Sequence, residues 1–411
     1  ISRLATDLPL LAEERVSLSE ALGRVLAEDV LAPHPLPPFD HSAMDGFALI
    51  SSDLVGVSEQ SPVELKIVGE VAAGRPDLPE IQAGQAARIT TGAPIPPGAD
   101  CVVPVELTDM PRPMAGAALP DSIEVIQQVE AGDYVRKAGL DIGAGELLLE
   151  KGRRLRPQDI GLLAAVGIDQ PAVRRKPRIA ILSTGDEVIP VDESLQPGMI
   201  RDANGHMLAA FIEAQGGIPL RLGIASDDRE AVRVHLDSAL EQGADLIISS
   251  AGVSMGAHDY VRLVMEEHGE LSFWKVNVRP GKPLANGRYR GRPFIGLPGN
   301  PVSAWVTFAL FVRPALAQML GQPKPKPRTI TATLDESVDS DGRESYLRVK
   351  LHKEDSDYVA RLTGSQDSAV LSSLAKADGL MILPSGVEHL TAGSKVQVWL
   401  MGAKGMMEVL D

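Results

Sequence analysis

From residue 178 to residue 297 short apolar runs alternate with longer segments whose apolar positions recur every three or four residues. RIAILST (178–184), IPLRLGIA (218–225), ADLIISS (244–250), LSFWKVNV (271–278) and RPFIGL (292–297) read as strands. NGHMLAAFIEAQGG (204–217), DDREAVRVHLDSALEQG (227–243) and DYVRLVMEEHG (259–269) read as helices. A final apolar helix, VSAWVTFALFVRPALAQML (302–320), closes the segment; its apolar run is expected to stop at Arg313–Pro314, too short to cross a bilayer. Alternating strands and helices predict a doubly wound, mostly parallel sheet, whose ligands bind beyond the carboxyl ends of the strands.

The flanks follow a different rhythm. VSLSEALGRVLAEDV (16–30) has helical spacing in Leu22, Val25 and Leu26, with Ser19 as the expected N-cap. LAPHPLPPFD (31–40) is extended by its prolines and reads as a hinge. Residues 42 to about 140 are β-prone runs, such as VELKIVGEV and CVVPVEL, cut by Gly, Pro and Asp. LLLEKGRRLRPQDIGLLAAVGI (147–168) is strand then helix, and PAVRRKPR (171–178) a basic connector. GQPKPKPR (321–328) is a proline-spaced basic linker, and the tail after it reads as a small β-barrel.

With 411 residues the chain is expected to hold two to four domains. A net charge of −15 disfavours binding to nucleic acid or an anionic membrane, yet leaves room for an anionic small ligand in a local basic pocket. One cysteine, Cys101, excludes an intramolecular disulfide and fits the cytoplasm. No signal-peptide h-region opens the sequence.

Three strand ends carry unusual loops: STGDEV (183–188), SSAGVSMGAHDY (249–260) and GLPGNPVSA (296–304). Glycines let backbone approach a ligand closely, which makes Thr184, Gly185, Gly252, Ser254, Pro298 and Gly299 candidate substrate contacts. Asn300 can cap the following helix and Pro301 suits its first position, so the free amides there can form an anion cradle; a tight turn without ligand is the alternative. FWKVNVRPGKP (273–283) adds Lys275, Arg279 and Lys282, cations suited to an oxyanion or equally to a solvated surface. Asp186, Glu187, Asp227 and Asp259 are each ordinary surface acids alone; together they suggest Mg²⁺ bridging phosphate oxygens. Nearer the N-terminus, FDHSAMDGFAL (39–49) with Asp45, TTGAPIPPGAD (90–100) with Thr91 and GLDIGAGE (139–146) with Asp141 form similar loops, and spacing does not connect them to the later segment.

Taken in order, FDHSAMDGFA, TGAPIPPGAD, LSTGDE, PGMIRDANG, ISSAGVSMGAHDY, FWKVNVRPGKP and GLPGNPVSA resemble the molybdopterin molybdenumtransferase (MoeA) family, and are similar to the gephyrin E domain. The likeness reaches into the tail through GRESYLRV and GSQDSAVLSSLAKADGLMILP. It implies an α/β multidomain protein: a central doubly wound domain of the molybdenum-cofactor-biosynthesis type, β-rich N-terminal modules and a C-terminal β-barrel. The expected divisions are 1–41 with 141–174, an inserted 42–140, 175–323 and 324–411. It also implies a homodimer whose sites draw on both subunits, with adenylylated molybdopterin and molybdate as substrates, Mg²⁺ as cofactor and AMP as product. The adenylylating enzyme and molybdoenzyme acceptors are the further partners it suggests. On this likeness Asp45, Asp141, Glu187, Asp259 and Lys275 are catalytic, and Thr91, Pro298, Pro301, Arg348 and Ser368 bind substrate. Ala251, His258 and Arg279 depart from the family's usual residues. An adenylyltransferase and a non-catalytic scaffold are the alternative functions.

Overall fold

The computed structural model describes residues 8–75, 77–110, 118–251 and 260–401. Chain contacts divide it into two compact units: Asp29–Glu150 with Leu162–Ile168, and Ile1–Glu28 with Lys151–Gly161 and Asp169–Asp411.

The first unit is built on a five-stranded sheet from β1 (Gly46–Leu49), β2 (Val63–Val71), β3 (Gln85–Ile89), β4 (Cys101–Pro104) and β5 (Ser122–Val125), in the order β4-β1-β3-β2-β5. Only β2 and β3 run parallel. β1 is buried along its whole length, with Phe47 and Leu49 packing on one face and Ala48 on the other. Gly46 begins it because a Cβ there would lie 2.0 Å from the Val103 carbonyl oxygen of β4. Cys101 lies in the Phe47–Leu49 core, its Sγ 3.6 Å from the Leu49 carbonyl oxygen. Burial pushes its thiol up to about 12, so it is a core residue and no nucleophile.

The second unit carries the α/β sheet. β6 (Arg178–Thr184), β7 (Ile218–Ala225), β8 (Leu246–Ser250), β9 (Gly269–Lys275), β10 (Pro283–Tyr289) and β11 (Arg292–Leu297) lie in the order β7-β6-β8-β11-β10-β9. The first four are parallel, and β10 and β9 add an antiparallel edge. LSFWKVNV therefore joins the sheet as an antiparallel edge strand.

Strand alternation explains the double winding. Ile179 and Ile181 face one layer with Leu208 and Ile212 of α1 (Ala203–Ala214). Ala180 and Leu182 face the other, with Val232 and Leu236 of α2 (Arg229–Glu241) and Val264 of α3 (Tyr260–His268). Asp202 caps α1 by accepting from the Gly205 N–H at 2.8 Å, and Asp228 caps α2 through the Ala231 N–H at 3.0 Å.

One expected helix boundary differs. The N-terminal pattern forms a single turn, Leu18–Ala21, with Ser19 inside it; Gly23 at φ +73° then turns the chain away. The last apolar helix, α4 (Pro301–Met319), runs through Arg313–Pro314 as its pattern predicts, so the apolar stretch expected to stop there is longer. A π-helical segment, Phe308–Val312, shifts the hydrogen-bond pattern before Pro314, which then sits in the first turn of a new α-segment where its missing N–H costs nothing. By length and composition α4 could cross a membrane, but 67% of it is buried, as in a core helix.

The tail closes into a barrel: β12 (Thr329–Leu334), β13 (Glu344–Glu354), β14 (Asp357–Leu362), β15 (Gly379–Leu383) and β16 (Lys395–Leu400) pair in the order β13-β14-β12-β16-β15, and β15 returns to β13. α5 (Leu371–Ala375) contributes Leu374 to a second cluster, where Tyr346, Leu380 and Trp399 of the barrel meet Val302 and Val306 of α4.

The tight β1–β4 crossing predicts that Gly46→Ala destabilises the first unit by about 2–4 kcal/mol, because backbone must move to admit the methyl. Calorimetry would show its transition well below that of the unaltered protein.

Candidate functional site

The parallel strands β7, β6, β8 and β11 end at Ala225, Thr184, Ser250 and Leu297, so the loops singled out in the sequence share one sheet edge. Two cavities open near it, with no lining residue in common.

The first holds about 600 Å³. Its walls come from the turn after β11 (Pro298, Gly299, Asn300), the start of α4 (Ser303), the Arg279–Pro283 turn and two barrel segments contributing Arg343, Gln366, Asp367 and Ser368. Among the described lining residues, three cations, Arg279, Lys282 and Arg343, stand against one carboxylate, Asp367, an excess of positive charge. Asp341 lies just outside, with its Oδ2 3.0 Å from the Arg343 Nε and 4.0 Å from the Arg279 Nη1. The Arg343 hydrogen bonds hold the Asp341 carboxyl down at about 2.

The turn after β11 works differently from the expected cradle. Asn300 occupies the N-cap position but makes no side-chain cap bond. Its Nδ2 instead donates to the Ser368 Oγ at 2.7 Å. The Val302 N–H is taken by the Ser368 carbonyl at 3.1 Å, and Pro301 has no N–H to offer. A barrel loop therefore takes one of the amides at the helix start.

Gly299 is needed for approach: a Cβ there would lie 3.3 Å from the Ala251 Cβ. Its carbonyl accepts from the Asn204 Nδ2 at 2.6 Å, which also donates to the Ser250 Oγ at 2.8 Å. The Asn204 Oδ1 is buried and lacks a partner. Ala251 lines the cavity with φ +88°, a strained angle for a residue with a Cβ.

The second cavity, about 780 Å³, includes Gly185, Asp186, Asp192, Glu193, His206 and Arg221. Gly185 stands at φ +131°, and the Glu187 carboxylate occupies the space a side chain there would need. The Asp186 Oδ1 accepts from the Asp227 N–H at 2.9 Å, which brings these two acids together. Among the described residues no three His, Cys, Asp or Glu side chains converge as a metal nest would.

The predicted residues thus divide. Arg279, Lys282, Pro298, Gly299, Asn300 and Ser368 share the first cavity. Gly185 and Asp186 line the second, with Thr184 buried at the end of β6. Lys275 is exposed at the end of β9. Gly252, Ser254, His258 and Asp259 lie outside the described residues. Arg348 is fully buried behind the barrel loop, donating to the Ser373 Oγ and to the carbonyls of Ser365 and Asp367. Burial pulls its guanidinium down to about 10, still charged at neutral pH. Arg343, Gln366, Asp367 and Asn204 are not singled out by the sequence as site residues, although they fall within the motifs GRESYLRV, GSQDSAVLSSLAKADGLMILP and PGMIRDANG.

In the unit containing β1–β5, Asp45 and Thr91 meet. The Asp45 Oδ1 accepts from the Thr91 N–H at 2.7 Å and from its Oγ1 at 3.0 Å. The Asp141 N–H donates to the Leu36 carbonyl, beside the segment in which Asp40 accepts from Lys137 and Ala138. The three N-terminal loops are thus tied together in one unit.

The fold is modular: a doubly wound sheet, a five-stranded sheet and a closed barrel. Three family models match in series: the MoeA N-terminal region (domain I and II) over residues 1–167, a probable molybdopterin binding domain over 180–318 and the MoeA C-terminal region (domain IV) over 331–401. The chain is 38% identical to molybdopterin molybdenumtransferase 2 of Mycobacterium tuberculosis, covering 93% of this chain and 94% of that protein. It is 36% identical to the molybdopterin molybdenumtransferase of Nostoc, over 94% and 88% of the two chains. The crystal structure of a molybdopterin biosynthesis MoeA protein from Pyrococcus horikoshii superposes with a TM-score of 0.83 at 35% identity, covering 98% and 97%. The chain belongs to the molybdopterin molybdenumtransferase family, a family of transferases.

Two outcomes follow from the geometry. Ala251→Gly removes left-handed strain of about 1–2 kcal/mol, partly offset by glycine's extra chain entropy, so the unfolding midpoint rises by a small, measurable step. Asp341 is depressed from 3.8 to about 2, so its contribution is complete above pH 4 and drains as the pH falls towards 2. Asp341→Asn should lower stability slightly above pH 4 and lose its effect as the pH falls to about 2, where the two stability curves should meet.

Proposed function

We propose that this chain inserts molybdenum into adenylylated molybdopterin, forming the dithiolene-bound metal cofactor with release of AMP. The observation that carries the reading is the cavity of Arg279, Lys282 and Arg343, joined by Ser303 and Ser368, in a chain of net charge −15. Three cations and two hydroxyls suit a compact dianion such as molybdate, which charge-assisted hydrogen bonds hold well. Their fixed positions supply charge neutralisation without reorganisation as the phosphoanhydride breaks. The Asn204 Oδ1, an acceptor without a donor, suits an N–H of the pterin.

Asp186, Glu187 and Asp227 carry the hard oxygen donors that Mg²⁺ prefers, and with Asp259 they would hold it. Bound there, the ion would screen phosphate oxygens. Asp45, with Thr91 held on its carboxylate, and Asp141 are proposed as catalytic groups that the homodimer brings to the partner's α/β domain. Lys275 is proposed as a further cation for the incoming phosphates. The solitary buried Cys101 fits a cytoplasmic setting.

Incubation with adenylylated molybdopterin, molybdate and Mg²⁺ should release AMP, and chelation of the metal should stop it. Lys282→Ala and Arg343→Ala should each raise the molybdate concentration needed for half-maximal rate about tenfold or more, the worth of one charge-assisted contact. Absence of AMP release, with ATP-dependent adenylylation instead, would replace this reading with the adenylyltransferase. Mixing Asp45→Ala and Lys282→Ala subunits should restore activity in roughly a quarter of the sites, by random exchange in a two-fold dimer; no restoration would show that each site belongs to one chain.

A further inference from the structure

A third cavity, of about 180 Å³, lies at the carboxyl end of α4 and under the proline-spaced linker. Arg154, Arg313, Lys324 and Lys326 line it, and among the described residues its lining carries no carboxylate. Among the described residues Arg154 donates only to neutral acceptors, the carbonyls of Gly23 and Gln215 and the Gln322 Oε1. Its Nε and the Arg313 Nε are shut from solvent and have no partner among those residues. Burial pulls both guanidinium groups below their ordinary range, and the charge of Arg313 depresses Arg154 further.

Two like charges, half-buried side by side with unmet donors, are unfavourable unless an anion completes them. The linker adds to this. Pro323 and Pro325 alternate with Lys324 and Lys326, so the two ammonium groups are carried on a backbone with little freedom left to lose.

We propose that this cavity binds a compact tetrahedral oxyanion of the phosphate class, at a site separate from the cavity of Arg279, Lys282 and Arg343. The ion would bridge the end of α4 to the linker that leads into the barrel. Its size admits one such ion with its hydrogen-bond donors around it, and the fork of Arg313 matches two of its oxygens.

Equilibrium dialysis at fixed ionic strength tests the site, using inorganic phosphate in one arm and AMP in the other. Four proteins are compared: the unaltered chain, Arg313→Met, the pair Lys324→Gln/Lys326→Gln, and Arg279→Ala/Lys282→Ala, which disables the other cation-lined cavity. Phosphate should bind the unaltered chain and the Arg279→Ala/Lys282→Ala variant alike, and at least about tenfold more weakly to the other two. The lysines are exposed, so their variant reads out even where Arg313→Met fails to fold. Binding of phosphate alone assigns a free ion, and equal binding of AMP assigns a phosphomonoester. Undiminished binding in the Lys324→Gln/Lys326→Gln variant, or loss confined to Arg279→Ala/Lys282→Ala, overturns the proposal.

Discussion

The arrangement of the first cavity depends on one buried cation. Arg348 sits fully inside the barrel-bearing unit, where an isolated charge would be costly. The carbonyls of Ser365 and Asp367 and the Ser373 hydroxyl accept its hydrogen bonds, and the Gln366 Oε1 accepts from its N–H. Those bonds tie residues 365–367 to Arg348. The fixed loop brings Ser368 to α4, where its carbonyl takes the Val302 N–H and its hydroxyl takes the Asn300 amide. Arg348 therefore acts on the cavity from behind, by fixing the wall that Gln366, Asp367 and Ser368 present to it.

This linkage also explains what the sequence could reveal. The α/β order, the apolar strands and the three Gly-rich loops were legible, because each is set by local composition or period. Asn300 as a helix cap was the natural local reading; Ser368, 68 residues away, accepts from its Nδ2, and the Ser368 carbonyl takes the Val302 N–H. Asp45 and Thr91 are 46 residues apart, and no periodicity joins them; β1 and β3 pair in the sheet and bring their loops together. Arg343 lies in a motif of the barrel, and only the fold brings it to the cavity that the Arg279–Pro283 turn also lines. The helix through Arg313–Pro314 was legible as one stretch; the π-helical segment just before the proline, which supplies a new first turn, was not.

Close approach is the second constraint at this sheet edge. The turn after β11 and the residue after β8 touch, with Gly299 leaving room for the Ala251 methyl and nothing larger. Ala251 accepts a left-handed backbone where a glycine would be relaxed, while its N–H holds the Leu297 carbonyl at 3.0 Å. Strain kept at such a position needs surroundings that over-determine it. Asn204 provides them, anchoring both Ser250 and Gly299 from the first turn of α1.

An acidic chain that handles an anion must separate its charges. Asp367 lines the first cavity and Asp341 lies beside Arg343, and each is already engaged, Asp341 by Arg343 and Asp367 by the Ala369 N–H. Arg343 spends part of its fork on Asp341, so Lys282 and Arg279 are the cations with most charge free for a ligand. Arg279 lies 4.0 Å from Asp341, a distance that steadies the side chain without neutralising it. In a cavity walled by backbone and proline, field lines concentrate on the opening, so local potential there opposes the sign of the whole molecule. The carboxylates of Asp186 and Asp227 lie with the other cavity's loops, where negative charge would attract a cation and leave the oxyanion wall unopposed. Strand order thus separates the two groups of charges along one sheet edge.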